Sequence, residues 1–369
     1  MTNENPVSGP TDDGIPGRDH VDLNRRRRTD SALAARFNAF ADLECAPGGS
    51  DMSVNSPTYA LLSRHVAVRG PLLALARECR LGQPIPNLLF AAVKRLVADT
   101  PDTPLGHHYR RAAEGAAPAR DLAYEFDAFC RLHANRIAEL VRTRNVQTNE
   151  VGRCSHLMPA FCVIARETGR DLALIDIGAG AGLNLLWNRF DYRYSNGAAF
   201  GSGRSPVRIA CESRGEMPPL PSSFPEVSFS VGVDLNPIDL ADDEQYRWLE
   251  ALIWPEHADR TAMLASAREV WLQQPPRVEA GDALERLPDL VAEAPADAAL
   301  CVFHCHALNQ FPVQARESFA GLLRAAAQSR PLFHVSSEGE SLVATRLEGG
   351  RSTRLLSVLR SAHGRWIQW

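Results

Sequence analysis

The run Leu172–Leu183, reading LALIDIGAGAGL, constrains the fold more than any other part of the chain. From Leu172 to Ile177 it is apolar except for Asp176, which suits a parallel strand covered on both faces. Gly178, Gly180 and Gly182 follow at alternate positions. Glycines there allow a sharp turn and let a ligand approach the backbone with no Cβ in the way. A helix starting near Leu183 would aim its free N–H groups and positive dipole end at the same place. The order predicts an α/β unit with a ligand at the carboxyl end of the strand. The plainer alternative is a tight strand-to-helix turn.

The glycine spacing helps to choose among ligands. A dinucleotide fingerprint reads G-x-G-x-x-G. Here the third glycine comes one residue early, and Leu183 stands at the fingerprint position. The Gly-Lys-Ser/Thr of a phosphate-cradling loop is also missing from this turn. The pattern acidic-x-G-x-G-x-G resembles the first motif of class I S-adenosylmethionine-dependent methyltransferases. Two later segments add to that resemblance. Val227–Pro237 reads as a strand ending at Asp234, with Asn236-Pro237 marking the turn. A carboxylate at that tip can accept both ribose hydroxyls. Arg277–Ala283 reads as a short strand closed by Gly281-Asp282, and it resembles the motif whose carboxylate meets the adenine amino group. The plainer alternatives are a turn aspartate at Asp234 and a Gly-Asp turn at Asp282. The resemblance implies that Asp176, Gly178, Gly180, Gly182, Asn184, Asp234, Asn236, Asp282 and Ala283 border S-adenosylmethionine.

One spacing departs from the pattern. Dinucleotide folds place the ribose carboxylate about 20 residues past the glycines. Asp234 lies much further on, so a segment at about 190–225 is expected as an insertion, read as a hairpin or flap near the site.

The chain has 369 residues, 45% of them hydrophobic and 23% charged, enough for a substantial core. A net charge of −4 gives no overall pull toward nucleic acid or anionic membranes. Eight cysteines are scattered with no C-x-x-C pair, as expected for buried, reduced thiols in a cytoplasm. No apolar run approaches a membrane span. Residues 1–30 are polar and expected to be disordered. Arg25–Arg28 could open a twin-arginine signal, but no apolar stretch follows, so a solvated basic tail is the expectation.

From residue 31 to 168 the pattern is helical. Ser56-Pro57 is a start signal, Arg120–Arg142 carries apolar residues at helical spacing, and Pro101–Ala117 reads as a loop. From residue 169 to 369 strands alternate with helices, which implies a parallel sheet. The strand-like pieces at 342–347, 355–359 and 365–369 fit an antiparallel C-terminal hairpin. The fold expected is α/β: a Rossmann-like methyltransferase sheet, mostly parallel, with an N-terminal helical region.

Two clusters are candidates for chemistry. After the fourth strand comes Phe303–Pro312, where a methyltransferase would face its acceptor. The Asn/Asp-Pro-Pro-aromatic tetrad of amino-group enzymes is not there. A hydroxyl acceptor needs a base titrating near neutrality, so His304 and His306, with Glu338 at the end of the fifth strand, are the candidates, and Asn309 could touch substrate. The plainer reading of each is a hydrogen-bonded loop residue. His304, Cys305, His306 and Cys301 lack a second spaced pair, so no metal is expected. The other cluster is Gln147–Arg153, directly before an apolar helix. Thr148 or Asn149 could cap that helix. Alternatively, Asn149, Glu150 and Arg153 line the pocket.

The chain from about residue 36 to 369 resembles an uncharacterised bacterial family, domain of unknown function 2332. The carrying phrases are Gly82–Phe90, Val146–Arg153, Asp176–Trp187, Gly232–Asp239, Trp254–His257, Gly281–Ala283 and His363–Trp366. The expectation is a methyltransferase acting on a small molecule, with a ligand-binding module lacking transfer chemistry as the alternative. A nicotinamide-dependent oxidoreductase ranks third, because Leu183 replaces the fingerprint glycine.

Overall fold

The computed structural model describes residues 28–45, 55–216, 220 and 223–369. The tail through Arg27 lies outside the described residues. Among the described residues seven helices come first: α1 (Asp30–Cys45), α2 (Pro57–Val66), α3 (Gly70–Arg77), α4 (Ile85–Asp99), α5 (Pro104–Ala113), α6 (Leu122–Leu132) and α7 (Ala134–Thr143). At α2 the Ser56 side chain accepts from the Tyr59 amide, with proline in the first turn, as the sequence predicts. The same device starts α5, where the Thr103 side chain accepts from the Gly106 amide ahead of Pro104. That segment is therefore a helix and not the expected loop. The 120–142 stretch is two helices, broken at His133, whose ring packs 4.3 Å from that of Phe129. These helices share a core around Phe90, which stacks on Tyr59 at 4.5 Å.

The rest of the chain builds an 11-stranded, mostly parallel mixed sheet. Helix α8 (Cys154–Thr168) leads into β1 (Leu172–Ile177). Next come β2 (Asp191–Tyr194), β3 (Ala199–Phe200), β4 (Arg208–Arg214) and β5 (Val227–Asp234). Helices α9 (Asp243–Ala251) and α10 (Ala258–Gln273) precede β6 (Val278–Ala280), α11 (Ala283–Glu293) and β7 (Ala299–Cys305). Helix α12 (Val313–Ala326), β8 (Leu332–Glu338), β9 (Ser341–Glu348), β10 (Arg351–Arg360) and β11 (Trp366–Gln368) complete it. The spatial order is β3-β2-β4-β11-β10-β9-β8-β7-β1-β5-β6.

Strands β6-β5-β1-β7-β8 are parallel and follow the 3-2-1-4-5 order of a doubly wound, Rossmann-like sheet. The order reverses beside β1, between β5 and β7, which is where such sheets open a crevice at their carboxyl ends. Beyond β8, strands β9 and β10 run antiparallel as a meander. Two expectations are corrected. The chain leaves the glycine turn through a short 3-10 segment, Leu183–Arg189, and not an α-helix. The inserted segment is not a flap over the site: β2, β3 and β4 extend the far edge of the sheet, β4 pairing in parallel with β11. Both changes have one cause, since the apolar Leu185, Leu186, Trp187 and Phe190 drive the chain into the core under α8. Trp187 is fully buried there, 5.2 Å from the Phe161 ring.

Each face of the sheet has its own core. Helix α8 covers the face bearing Leu172, Leu174, Cys301, Phe303, Phe333 and Val335. Helices α11 and α12 cover the opposite face, which bears Ala173, Ile175, Ile177, Leu300 and Val302. Trp248 and Leu252, from α9 and just after it, join the helical core instead and tie the N-terminal helices to the sheet. Among the described residues no helix is long and apolar enough to cross a membrane. The eight cysteines are unbridged, and all but Cys45 are buried.

Candidate functional site

The glycine turn occupies the switch point in left-handed backbone, with φ of 76° at Gly178, 60° at Gly180 and 73° at Gly182. Its amides are all held by the protein. Gly178 and Ala179 donate to the Val233 carbonyl at 2.8 and 3.2 Å, and Gly182 to Ala179 at 2.8 Å. Gly180 donates to Asp234 Oδ2 at 2.8 Å. Ala181 and Leu183 both donate to Asn149 Oδ1, at 3.2 and 3.0 Å. No phosphate cradle of free N–H groups is therefore left in the turn. A Cβ on Gly178 would lie 2.5 Å from the Ala307 Cβ, so the loop after β7 closes directly onto the turn.

The positions expected to border a cofactor fall into two groups. Asp176, on β1, faces α8 and is 1% exposed, with no partner for Oδ2. Burial, and then the nearby Asp234, push its carboxyl well above the ordinary range. Asn184 is also buried and accepts from the Cys154 thiol at 3.6 Å. Asp234, at the tip of β5, accepts from Gly180, from the Asn236 amide at 2.8 Å and from Gln147 Nε2 at 2.9 Å. Asp282 is exposed and caps α11, accepting from the Leu284 amide at 2.8 Å, and Ala283 is buried behind it. Asp176, Asp234 and Asp282 thus stand at the carboxyl ends of β1, β5 and β6, three adjacent strands.

The expected capping role of Asn149 goes to Glu150, whose side chain accepts from the Gly152 amide at the start of a 3-10 turn, Val151–Arg153. Asn149 instead holds the glycine turn. Glu150 also pairs with Arg260 of α10 at 2.6 Å, both side chains nearly buried. Arg153, 7% exposed, donates through Nε to the Ala362 carbonyl at 3.1 Å. The 361–365 loop between β10 and β11 packs hard on this segment: a Cβ on Gly152 would lie 2.3 Å from the His363 carbonyl oxygen. A cleft of about 400 Å³ opens on the outer side of the contact, lined by Glu150, Arg260, His363, Arg365 and residues of β4.

The loops after β7 and β8 hold the remaining candidates. His304 is 1% exposed and packs against Phe319 of α12, on the face away from α8. Both its nitrogens are engaged, Nδ1 with Glu338 Oε1 at 2.8 Å and Nε2 with His334 Nε2 at 3.0 Å. Glu338 Oε1 also accepts from the Ala307 and Leu308 amides, each at 3.0 Å. Burial opposes its charge, but the hydrogen bond and charge of His304 outweigh that and hold the carboxyl below its usual range. His306 has φ 55°, left-handed backbone that a non-glycine residue seldom adopts. Its Nε2 lies 3.0 Å from Arg360 Nη1. Burial, then Arg153 and Arg360, push its pKa down to about 3, so the ring is neutral and Nε2 accepts from the guanidinium. Asn309 lies in the 3-10 turn that follows, exposed.

Two polar residues of the crevice, His156 and Arg360, carry no signal in the sequence, and they stand with two that lie in the marked segments, Cys305 and Gln147. His156 is fully buried, with Nε2 3.0 Å from Ser337 Oγ and Nδ1 unpartnered. Cys305 also reaches Ser337, at 3.3 Å. Gln147 braces Asp234. Arg360 is completely buried at the end of β10. An arginine late in an alternating strand reads as a surface residue, and a histidine in an apolar helix reads as core. Only the sheet order brings them together. Among the described residues no three His, Cys, Asp or Glu side chains converge as a metal set.

Residues 34–369 match the model of a family described as an uncharacterized protein conserved in bacteria (DUF2332), and the chain belongs to that family. No curated protein matches it.

Proposed function

We propose that this member of the bacterial family is an S-adenosylmethionine-dependent methyltransferase acting on a small molecule. The observation that carries the reading is the row of carboxylates on β1, β5 and β6 beside a left-handed glycine turn at the switch point. The residues present suit that cofactor. Asp176 offers an unpartnered, buried oxygen to an ammonium group. Asp234 is braced at the neighbouring strand tip to accept ribose hydroxyls, and Asp282 is exposed one strand further on. The turn's amides are all committed to protein acceptors, which suits a phosphate-free ligand and disfavours a nicotinamide dinucleotide.

When bound, the cofactor supplies an electrophilic methyl group on a sulfonium. The protein's task is mainly alignment and exclusion of water. His306, with its lone pair given to Arg360, is poorly disposed to take a proton at neutral pH, and His304 is buried with both ring nitrogens engaged by Glu338 and His334. An acceptor already nucleophilic without a base fits such a site best.

The test is a thermal-shift titration with S-adenosylhomocysteine, S-adenosylmethionine and NADPH. Selective stabilisation by the adenosyl ligands is expected, about 2.7 kcal/mol at 100 times Kd. Asp234→Ala should abolish it while the protein remains folded. Stabilisation by NADPH alone, or unchanged affinity in the variant, would refute the reading. A ligand-binding module without transfer is favoured by the engaged ring nitrogens of His304 and His306, and it predicts adenosyl binding with no methyl transfer to any acceptor pool.

A further inference from the structure

Arg360 presents an unusual edge. Its Nη1 donates to His306 Nε2 at 3.0 Å and to the Ser361 carbonyl at 3.2 Å. Its Nε and Nη2, both buried, have no partner. Those two nitrogens form the side-on edge of the guanidinium, whose parallel N–H bonds match the two oxygens of a carboxylate. Arg153 adds a second, nearly buried guanidinium close by, with only its Nε committed, to the Ala362 carbonyl. Among the described residues no carboxylate pairs with either arginine. Glu338 is the carboxylate that acts on Arg360 through space, but it makes no hydrogen bond to it: Oε1 serves His304 and two loop amides, and Oε2 is buried without a partner. Buried positive charge without a hydrogen-bonded counter-ion is costly. Here it is concentrated beside His156 and His306, at the mouth of β7 and β8.

We propose that the Nε/Nη2 edge of Arg360, with Arg153 beside it, receives the carboxylate of the small-molecule acceptor. The placement favours the acceptor over the cofactor as its owner. Asp234 and Asp282 lie on the β5–β6 side of β1, whereas Arg360 stands across β7 and β8 on the other side. A ligand laid along the glycine turn from Asp234 would bring its reactive end toward this second group. The carboxylate-binding edge stands on geometry alone; its assignment to the acceptor rests on the methyltransferase reading.

The experiment uses acetate as the probe, with acetamide and chloride as controls at matched ionic strength, and thermal stability of the full chain as the readout. Acetate should stabilise the wild type where acetamide and chloride do not. Arg360→Lys keeps the charge but loses the paired edge, and it should weaken acetate by about tenfold or more. Arg360→Met and Arg153→Gln should do the same, with S-adenosylhomocysteine affinity unchanged in each. Acetate binding without S-adenosylhomocysteine binding would uphold the edge and remove the methyltransferase reading. Equal loss of acetate and S-adenosylhomocysteine would assign the edge to the cofactor and overturn the proposal. So would a wild type that does not distinguish acetate from acetamide, an outcome that needs no variant to fold.

Discussion

Replacing Asn149 by alanine should unhinge the glycine turn. The side chain is buried, and its one oxygen accepts from the amides of Ala181 and Leu183 at 3.2 and 3.0 Å. Alanine keeps the backbone and removes that acceptor, leaving two N–H groups inside the protein. An orphaned buried donor costs about 1–3 kcal/mol. Entry of one water into the space would recover part of the loss, so the net cost is about 2–4 kcal/mol. For a chain of 369 residues that is a fall of roughly 3–5 °C in the midpoint of thermal unfolding. The matched control is Thr148→Ala, an exposed neighbour expected to change stability by less than about 0.5 kcal/mol. Calorimetry of the two variants against wild type, repeated with S-adenosylhomocysteine, measures the fold and ligand effects together. An Asn149→Ala protein as stable as the control, with full ligand affinity, would show that this side chain does not hold the turn.

Other consequences are accessible to simple assays. Gly178→Ala puts a Cβ into left-handed backbone and 2.5 Å from the Ala307 Cβ, at a cost of about 2–5 kcal/mol. Adding Ala307→Gly should return the overlap part, and a double-mutant cycle with no coupling would contradict the contact. Burial first, and then neighbouring arginines or histidines, lower the pKa of His306 and His334 to about 3 and of His257 to about 4. Their stabilising contribution is complete above about 6.5 and lost as pH falls toward 3, so urea midpoints should drop through that window. Glu44 behaves oppositely: burial, with Glu256 adding to it, raises its carboxyl to about 8 despite the Ser56 amide. Its contribution is present below about 4.5 and lost as pH rises through 8, so Glu44→Gln should flatten stability over that range.

The central sheet was legible because its signals are local. The apolar run of β1, the Asp234 strand tip and the alternation after residue 169 each report backbone state within a few residues. Helix α5 went unread because its cap and proline precede Gly106, His107 and His108, which blur the apolar spacing. The inserted strands could be anticipated, but their seat beside β11 could not, because parallel pairing with β4 depends on residues far along the chain. The candidate site divides the same way. Residues that act through their own turn, such as Gly180, stand out in sequence. Arg360 and His156 acquire meaning only from neighbours brought in by the sheet order.

The clasp between the Arg153 segment and the 361–365 loop also sets a clock for synthesis. Arg153 and Ala362, and likewise Ser155 and Gly364, are joined across 209 positions of the chain. At about 5–20 residues per second, on the order of 10–40 s separate the making of the two halves on a ribosome. During that interval β1 and β5 can already pair, and their glycine turn can form, while the arginine edge has not yet been translated. A nascent chain would therefore gain its glycine turn early and its buried Arg360 only once β10 and β11 had closed the sheet, so a product truncated before β10 would carry the turn without the clasp that packs against Gly152.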